Sequence, residues 1–332
     1  MPFGRRRSRE SGRRPLRLFF ATDLHASDIC FGKFLSAARV YEVDALVLGG
    51  DLTGKSLVPL VRDGSGYREG LGDGGRRLEC ASELRDYEAQ VADLGSYPVR
   101  VERDEAEALA RDHNALARTL RREAAARATQ WAALAEERLS ASGVRCYLTG
   151  GNDDPPEVLA ALSEAAGERI EVCDGRSVEI TDDTELVSVG YSNPTPWDTP
   201  REVPEPRLRE LIEAAVEQAD DPRRALFNIH PPPRDTGLGR CPELDTSTDP
   251  PRPVRVSGEL VYTDAGSSAV RDSLLAHQPL VGLHGHIHES RAAAKLGATV
   301  VLNPGSTYRE GILRGVLVTL HGTRVSYQFT SG

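Results

Sequence analysis

Seven polar side chains, each close to the end of a short apolar segment, have the types needed to hold divalent cations. Asp23 and His25 follow the first such segment, and His286 and His288 follow a later one. The two-residue spacing places both side chains of a pair on one side of an extended chain. Carboxylates, imidazoles and an amide oxygen together suit manganese, iron or zinc. The candidate metal ligands are Asp23, His25, Asp51, Asn152, His230, His286 and His288.

A pair of cations held by such ligands can hydrolyse phosphate esters. Two ions about 3.5–4 Å apart hold an attacking hydroxide between them and neutralise the charge of phosphoryl oxygens. Binding to metal also lowers the pKa of water toward neutrality. Because the ligand set contains no thiolate, a structural zinc cage is disfavoured.

The composition limits the partners and the compartment. The net charge of −9 argues against broad binding to nucleic acid. No apolar run approaches the roughly 20 residues needed to span a bilayer. The five cysteines are odd in number and lack a C-x-x-C pair, so no disulfide framework is expected. We expect a cytoplasmic protein, with residues 1–15 forming a disordered basic tail.

The candidate ligands require strands to position them. Apolar segments at 16–21, 45–48, 145–149, 225–229 and 280–284 predict buried strands, and helical patterns lie between several of them. Ligands of open α/β sheets gather at the carboxyl ends of strands. The sequence therefore predicts a layered α/β domain whose candidate site lies at that edge.

Two long segments interrupt this pattern. Residues 55–142 are polar and rich in Arg and Glu, which predicts a mainly helical insertion or cap between two core parts, 16–54 and 143–332. We favour packing of its apolar stripe on the core over binding of a partner protein. Residues 231–258 are rich in Pro, Gly and Asp and are predicted to form a loop beside the active site.

The motifs, taken in order, resemble a known superfamily. The order D-x-H, G-D, G-N-x-D, H and G-H-x-H is similar to that of the calcineurin-like metallophosphoesterases, over residues 16–330 apart from the insertion. Residues 50–54 and 283–289 further resemble a prokaryotic branch related to cyclic-nucleotide phosphodiesterases. The resemblance implies an α/β (α+β) fold, a four-layer α-β-β-α sandwich of two mixed sheets.

The resemblance also implies how the ligands divide between two divalent ions. It assigns Asp23, His25 and His288 to the first ion, Asn152, His230 and His286 to the second, and Asp51 to both. Manganese is the preferred ion, with iron, zinc, magnesium and nickel as alternatives.

One position departs from the family pattern. The residue after the third-motif Asn is often a His that acts as general acid or phosphate contact, whereas here it is Asp153. Aspartate cannot supply positive charge, and as a general acid it needs a raised pKa. Close to two cations we expect its pKa to fall instead. The catalytic candidates are Asp51, Asn152 and Asp153.

Three functional hypotheses follow. The preferred one is hydrolysis of a small phosphodiester, such as a cyclic nucleotide, because a metal site without the usual His favours a good leaving group. A phosphomonoesterase is the alternative activity, and a metal-binding scaffold for protein partners is the non-catalytic alternative. A nuclease is disfavoured by the acidic balance. No membrane partner is expected.

Several neighbouring residues have structural interpretations. Asp154 precedes Pro155 and is interpreted as a helix N-cap. His284 is interpreted as a packed residue. The sequence Asn303-Pro304-Gly305-Ser306 fits both an ordinary turn and a turn that resembles one beside the family's site.

Overall fold

The computed structural model describes residues 14–332, so positions 1–13 of the expected basic tail lie outside the described residues. The strands are β1 (Leu16–Ala21), β2 (Ala45–Gly49), β3 (Ser56–Asp63), β4 (Gly66–Glu69), β5 (Arg77–Leu78), β6 (Ser96–Val101), β7 (Arg145–Thr149), β8 (Ile170–Val172), β9 (Arg176–Thr181), β10 (Thr184–Val189), β11 (Leu226–Ile229), β12 (Arg240–Pro242), β13 (Leu244–Asp245), β14 (Arg252–Pro253), β15 (Arg255–Val256), β16 (Glu259–Leu260), β17 (Tyr262–Asp264), β18 (Val281–Leu283), β19 (Ala292–Leu296), β20 (Thr299–Asn303), β21 (Arg314–His321) and β22 (Arg324–Ser331). The helices are α1 (Asp28–Val40), α2 (Ala81–Asp93), α3 (Arg103–Arg111), α4 (His113–Leu139), α5 (Pro156–Ala165), α6 (Glu205–Val216) and α7 (Ser268–His277).

Two six-stranded mixed sheets form the core. The first has the order β22-β21-β1-β2-β7-β8, in which β1, β2, β7 and β8 are parallel and β21 is antiparallel to β1. The second has the order β19-β20-β18-β11-β10-β9, with β10, β11, β18 and β20 parallel. The predicted pair of mixed sheets is therefore confirmed.

Strand β1 shows how the layers are built. Leu18 and Phe20 pack between the two sheets, whereas Phe19 and Ala21 pack among apolar residues of α1, α4 and α5. Alternate side chains of a strand point to opposite faces, so a strand buried on both faces reads as a continuous apolar run. Helices α6 and α7 cover the outer face of the second sheet. This α-β-β-α arrangement confirms the predicted sandwich.

The 55–142 segment contains a four-stranded sheet as well as helices. The order of that sheet is β5-β4-β3-β6. Helices α3 and α4 meet at Asp112, which caps both. The apolar stripe of α4 packs on the core, where Trp131 stacks on Phe31 with ring centroids 4.1 Å apart. The favoured interpretation of this stripe is confirmed, and the division into core and insertion stays a prediction.

Two regions were not foreseen as strands. The 231–258 region, predicted as a loop, folds together with residues 259–264 into a narrow ribbon of short pairs, β12 with β17, β13 with β14 and β15 with β16. Strand β19 has the sequence AAAKL and gave no β signal because alanine and lysine are poor strand formers.

Among the helices of residues 14–332, none is long and apolar enough to cross a membrane. All five cysteine thiols are free.

Candidate metal centre

The seven candidate ligands come from the loops that follow five strands, three of the first sheet and two of the second. Around the first-motif pair, His25 Nε2 lies 3.1 Å from His288 Nε2 and 3.6 Å from Asp51 Oδ2. His288 Nε2 lies 3.3 Å from Asp23 Oδ1. These four residues each offer a ligand atom within 4.8 Å of the others, so they could hold a metal ion.

The other three candidates form an adjoining group. Asn152 Oδ1 lies 3.0 Å from His230 Nε2 and 2.7 Å from His286 Nδ1. His230 Nε2 in turn lies 3.4 Å from Asp51 Oδ1. One oxygen of Asp51 therefore faces His25 and the other faces His230. This is the position required of a carboxylate shared between two ions, and all seven side chains converge.

Glycines of the motifs allow this convergence. A Cβ added at Gly151 would lie 2.0 Å from Asp51 Oδ1, and one at Gly285 would lie 2.3 Å from Asp23 Oδ2. Such separations are impossible for real atoms, so a side chain at either position would displace a candidate ligand. The glycines in G-N-x-D and G-H-x-H are thus required by close approach of neighbouring loops.

Four of the candidate ligands hold a left-handed backbone conformation. Their φ angles are 56° at Asp23, 43° at His25, 50° at Asp51 and 67° at His286. Non-glycine residues in this region cost about 1–3 kcal/mol each and cluster at functional sites. The surrounding fold must stabilise these loops, which places the strain where ligand direction matters most.

The buried carboxylates attract positive charge. Asp23 and Asp51 are almost fully buried, and within residues 14–332 their ion-pair partners are imidazoles. Burial opposes protonation of His230, but Asp51 outweighs burial and raises the pKa of His230 to about 9. Burial also opposes protonation of His288, but Asp23 outweighs burial and the pKa of His288 is raised. Because two buried acids draw protons onto their neighbours, the site suits cations.

The remaining two imidazoles are neutral. Burial lowers the pKa of His25 to about 3 and that of His286 to about 4. A neutral imidazole keeps the lone pair that a metal ion needs. His25 Nδ1 lies 3.0 Å from the carbonyl oxygen of Thr53, which fixes Nδ1 as the donor and leaves Nε2 free for an ion. The donor set therefore fits divalent metal.

Comparison with known proteins agrees with this architecture at the level of the fold. No family model matches the chain. The uncharacterized protein MJ1162 of Methanocaldococcus jannaschii is 26% identical over 156 residues, which cover 46% of this chain and 61% of that protein. The crystal structure of TT1561 of Thermus thermophilus aligns with a TM-score of 0.54 at 14% identity and covers 95% of this chain and 99% of that one.

Fold, motif order and ligand geometry now agree. This chain has the fold of TT1561, and its motif order resembles that of the calcineurin-like metallophosphoesterases. A dimetal phosphatase from Danio rerio aligns with a TM-score of 0.41 at 10% identity, covering 96% of this chain and 99% of that one.

Within this fold, Asp154 links two motif loops. Helix α5 is capped by Pro155 without a side-chain hydrogen bond, so the interpretation of Asp154 as an N-cap is wrong. Instead, the carboxylate of Asp154 accepts hydrogen bonds from the backbone N–H groups of Leu52, Thr53 and Gly151 at 2.7–3.0 Å. Asp154 is thus a buried brace that holds the loop of Asp51 against the loop of Asn152.

The turn after β20 braces the last motif. Asn303 is buried, and its Nδ2 donates to the carbonyl oxygens of Gly285 and Ile287 at 3.2 and 3.1 Å. Ser306 Oγ donates to the carbonyl oxygen of Asp23 at 2.7 Å. The Asn-Pro-Gly-Ser segment therefore lies beside the candidate site. His284, interpreted as a packed residue, is buried and bonds through Nδ1 to the carbonyl oxygen of Ile229 at 2.7 Å.

Asp153 has a partner that sequence reasoning missed. Lys55 Nζ lies 2.5 Å from Asp153 Oδ2, and the Lys55 side chain is half-exposed. Without bound ions, burial and the neighbouring Asp51 raise the pKa of Asp153, whereas Lys55 opposes the rise. The fall expected near two cations stays a prediction. The position of Lys55, four residues after Asp51, was the available sequence signal, because a chain leaving a motif loop stays near it.

The orientation of the Asn152 amide is fixed by a chain of hydrogen bonds. Glu202 Oε1 accepts from Thr199 Oγ1 at 2.7 Å, and Asn152 Nδ2 donates to the same Thr199 Oγ1 at 2.8 Å. Burial alone would raise the pKa of Glu202, but hydrogen bonds from Thr195 and Thr199 outweigh it and lower the pKa. A carboxylate only accepts, so the Thr199 hydroxyl must donate to it and receive from the amide. Asn152 Oδ1 is thereby directed at the candidate metal position.

We expect Thr199→Val to weaken metal binding. The substitution keeps the shape of the side chain but removes the acceptor that orients the Asn152 amide. Loss of such outer partners costs about 10–100-fold in metal affinity. Titration of manganese by calorimetry measures the change. The matched control is Thr195→Val, because Thr195 Oγ1 also donates to Glu202 but does not contact Asn152. Equal losses in both variants would show that loop packing, not amide orientation, is responsible.

A cavity of about 780 Å³ opens onto the centre. Its lining includes four candidate ligands and both members of the Lys55–Asp153 pair. The ribbon of the 231–258 region contributes Pro242, Leu244 and Pro253, which confirms that this region lies beside the candidate site. The described residues that line the cavity include none from 56–142. That segment instead supports the motif loops from behind, where Arg127 donates to the carbonyl oxygen of Ala26 at 2.8 Å.

Proposed function

We propose that this chain is a two-metal-dependent phosphoesterase that hydrolyses a small phosphodiester. The observation that carries the proposal is the convergence of seven metal-binding side chains, with Asp51 facing both groups. A pair of divalent ions, manganese by preference, supplies a nucleophile at neutral pH and neutralises phosphoryl oxygens. The open cavity beside the ligands supplies room for an organic ester.

The chain's own residues divide the remaining work. Asp51 fixes the separation of the two ligand groups, and Asn152 is held in one orientation by Thr199. Lys55 supplies the positive charge that Asp153, at the position where the resembled family often has a His, cannot supply. Burial opposes the charge of Lys55, but Asp153 and Asp51 outweigh burial, raise the pKa of Lys55 and keep it charged. We therefore place Lys55 against a non-bridging oxygen of the substrate phosphate, with Asp153 as its anchor.

A diester is preferred over a monoester because of charge and space. A monoester carries about two negative charges, whereas a diester carries one. Of the cationic side chains in the described lining, Lys55, Arg234 and Arg309, Lys55 is the one paired with Asp153 of the third motif. The cavity volume falls within the range of about 300–1,000 Å³ typical of small-molecule sites. The free thiols agree with a reducing compartment, so we propose the cytoplasm as its location.

The test is hydrolysis of bis(p-nitrophenyl) phosphate and of p-nitrophenyl phosphate by manganese-loaded protein. We expect turnover of the diester with higher kcat/KM than of the monoester. The reverse order would favour the phosphomonoesterase. A protein that binds two manganese ions tightly yet turns over neither compound would favour a metal-binding scaffold.

We expect Lys55→Met to lower kcat/KM for the diester by about tenfold or more while leaving manganese content unchanged. A hydrogen bond to a charged group is worth about 1.5–3 kcal/mol, which corresponds to that range. Lys55→Arg should retain most activity because it keeps the charge. Lys33→Met is the control, since Lys33 Nζ donates to the carbonyl oxygen of Gly311 away from the cavity. Lost manganese in Lys55→Met would contradict a phosphate-binding role.

A further inference from the structure

We infer that Trp197 is a stacking platform for a planar aromatic group of the substrate, such as a nucleobase. This inference rests on the proposed function and names its substrate class. Trp197 lines the same cavity as the candidate ligands Asp51 and His286. Its side chain is 54% exposed, although large aromatic residues are normally covered in a folded protein. An exposed indole inside a cavity is available to a ligand rather than to the core.

The segment that carries Trp197 is pre-organised. Pro194 and Pro196 fix two φ angles on either side of Thr195. The backbone N–H of Trp197 donates to Thr195 Oγ1 at 3.1 Å, and Thr195 Oγ1 donates to Glu202 Oε1 at 2.5 Å. Ordering the loop before the ligand arrives reduces the entropy lost on binding, as in an evolved binding site.

The platform is also close to the phosphate position. Trp197 is two residues from Thr199, whose hydroxyl bonds the amide of Asn152 at 2.8 Å. Two residues span at most about 7 Å between Cα atoms. An aromatic ring stacked on Trp197 can therefore belong to the same small molecule as a phosphate held beside Asn152 and Lys55.

The surroundings of the platform are apolar and rigid. Pro194 and Pro196 flank Trp197, and the ribbon adds Pro242, Leu244 and Pro253 to the same cavity lining. Proline rings and the face of the indole offer flat apolar surface on which a planar ring can stack. The group that stacks on Trp197 is therefore a planar aromatic ring.

The first test measures direct binding of thymidine through the quenching of tryptophan fluorescence. The chain has two tryptophans, and Trp131 is buried against Phe31, so quenching by a soluble ligand reports Trp197. We expect saturable quenching by thymidine in wild type and none in Trp197→Leu. Thymidine has no phosphate, so EDTA-treated protein should respond equally. The platform is thus tested even if no ester is hydrolysed.

The second test compares two diesters with the same leaving group, thymidine 5′-(p-nitrophenyl phosphate) and methyl p-nitrophenyl phosphate. We expect Trp197→Leu to raise the KM of the thymidine ester about tenfold, because stacking on one base is worth about 5- to 160-fold in affinity, and to change the KM of the methyl ester less. Trp197→Phe should retain part of the preference. Tyr327→Leu removes another exposed aromatic, on β22, and should change nothing.

Three results would overturn the inference. One is the absence of thymidine quenching together with unchanged KM for both esters. Another is an equal fall in kcat for both esters without a change in KM, which would show that Trp197 acts only through the loop. The third is quenching by tetramethylammonium but not by thymidine, which would assign the exposed indole to a cationic ligand.

Discussion

Asp51→Asn is expected to remove hydrolysis of bis(p-nitrophenyl) phosphate, with kcat/KM reduced by well over 100-fold. Asp51 faces both ligand groups, with Oδ2 3.6 Å from His25 Nε2 and Oδ1 3.4 Å from His230 Nε2. The amide that replaces it offers one oxygen and no negative charge. Since loss of an outer partner of a metal ligand already costs about 10–100-fold, loss of a shared ligand should cost more.

The variant needs a control that also exchanges a carboxylate for an amide. Asp272→Asn serves, because Asp272 is paired on the protein surface with Arg209. Metal content measured by mass spectrometry should fall in Asp51→Asn and stay constant in Asp272→Asn. Full activity of Asp51→Asn with a full complement of manganese would remove Asp51 from the reaction and with it the main support for a two-ion mechanism.

Removal of metal is expected to lower the thermal stability of the protein. Any ligand that binds only the folded state stabilises it, by about 2.7 kcal/mol when its free concentration is 100 times Kd. For a chain of this size that corresponds to a fall in Tm of about 4 °C on treatment with EDTA. Scanning calorimetry with and without manganese measures the difference.

The charge of the centre predicts how Asp51→Asn behaves in the same experiment. Burial and repulsion from Asp51 both oppose ionisation of Asp23, although His288 and His230 outweigh them and lower the pKa of Asp23. The substitution removes that repulsion. The substitution also removes the attraction between Asp51 and His230, which outweighs burial and lowers the pKa of Asp51. Without bound ions, Asp51→Asn should therefore be no more stable than wild type, and manganese should hardly change its Tm. An identical Tm of wild type in manganese and in EDTA would contradict metal binding at this site.

The sequence predicted the parts of the site that depend on order along the chain. Apolar runs such as Leu16–Ala21 have one simple interpretation, a strand buried on both faces, and the polar residues that follow it had to lie at a sheet edge. The motif spacing then indicated which residues would converge, and the fold with its two mixed sheets is confirmed.

The parts that were missed depend on distant partners. Asp154 has the local signature of a helix cap, but its partners lie about 100 residues earlier, at Leu52 and Thr53. Lys55 and Glu202 carry no motif of their own, and they gain a role only because folding places them beside Asp153 and Thr199. Strand β19 forms because β20 offers a free edge, which intrinsic propensity does not encode.

The separation of the ligands along the chain makes the centre a late product of folding. His25 and His288 approach to 3.1 Å although 263 positions separate them. Closing a flexible loop of that length costs about 5 kcal/mol of chain entropy, and contacts of this kind form slowly. A partly folded chain in which one sheet has formed holds only four or three of the seven candidate ligands. Tight capture of the proposed ions is therefore expected only of the complete native state, and newly made protein would have to finish its tertiary structure before it could acquire them.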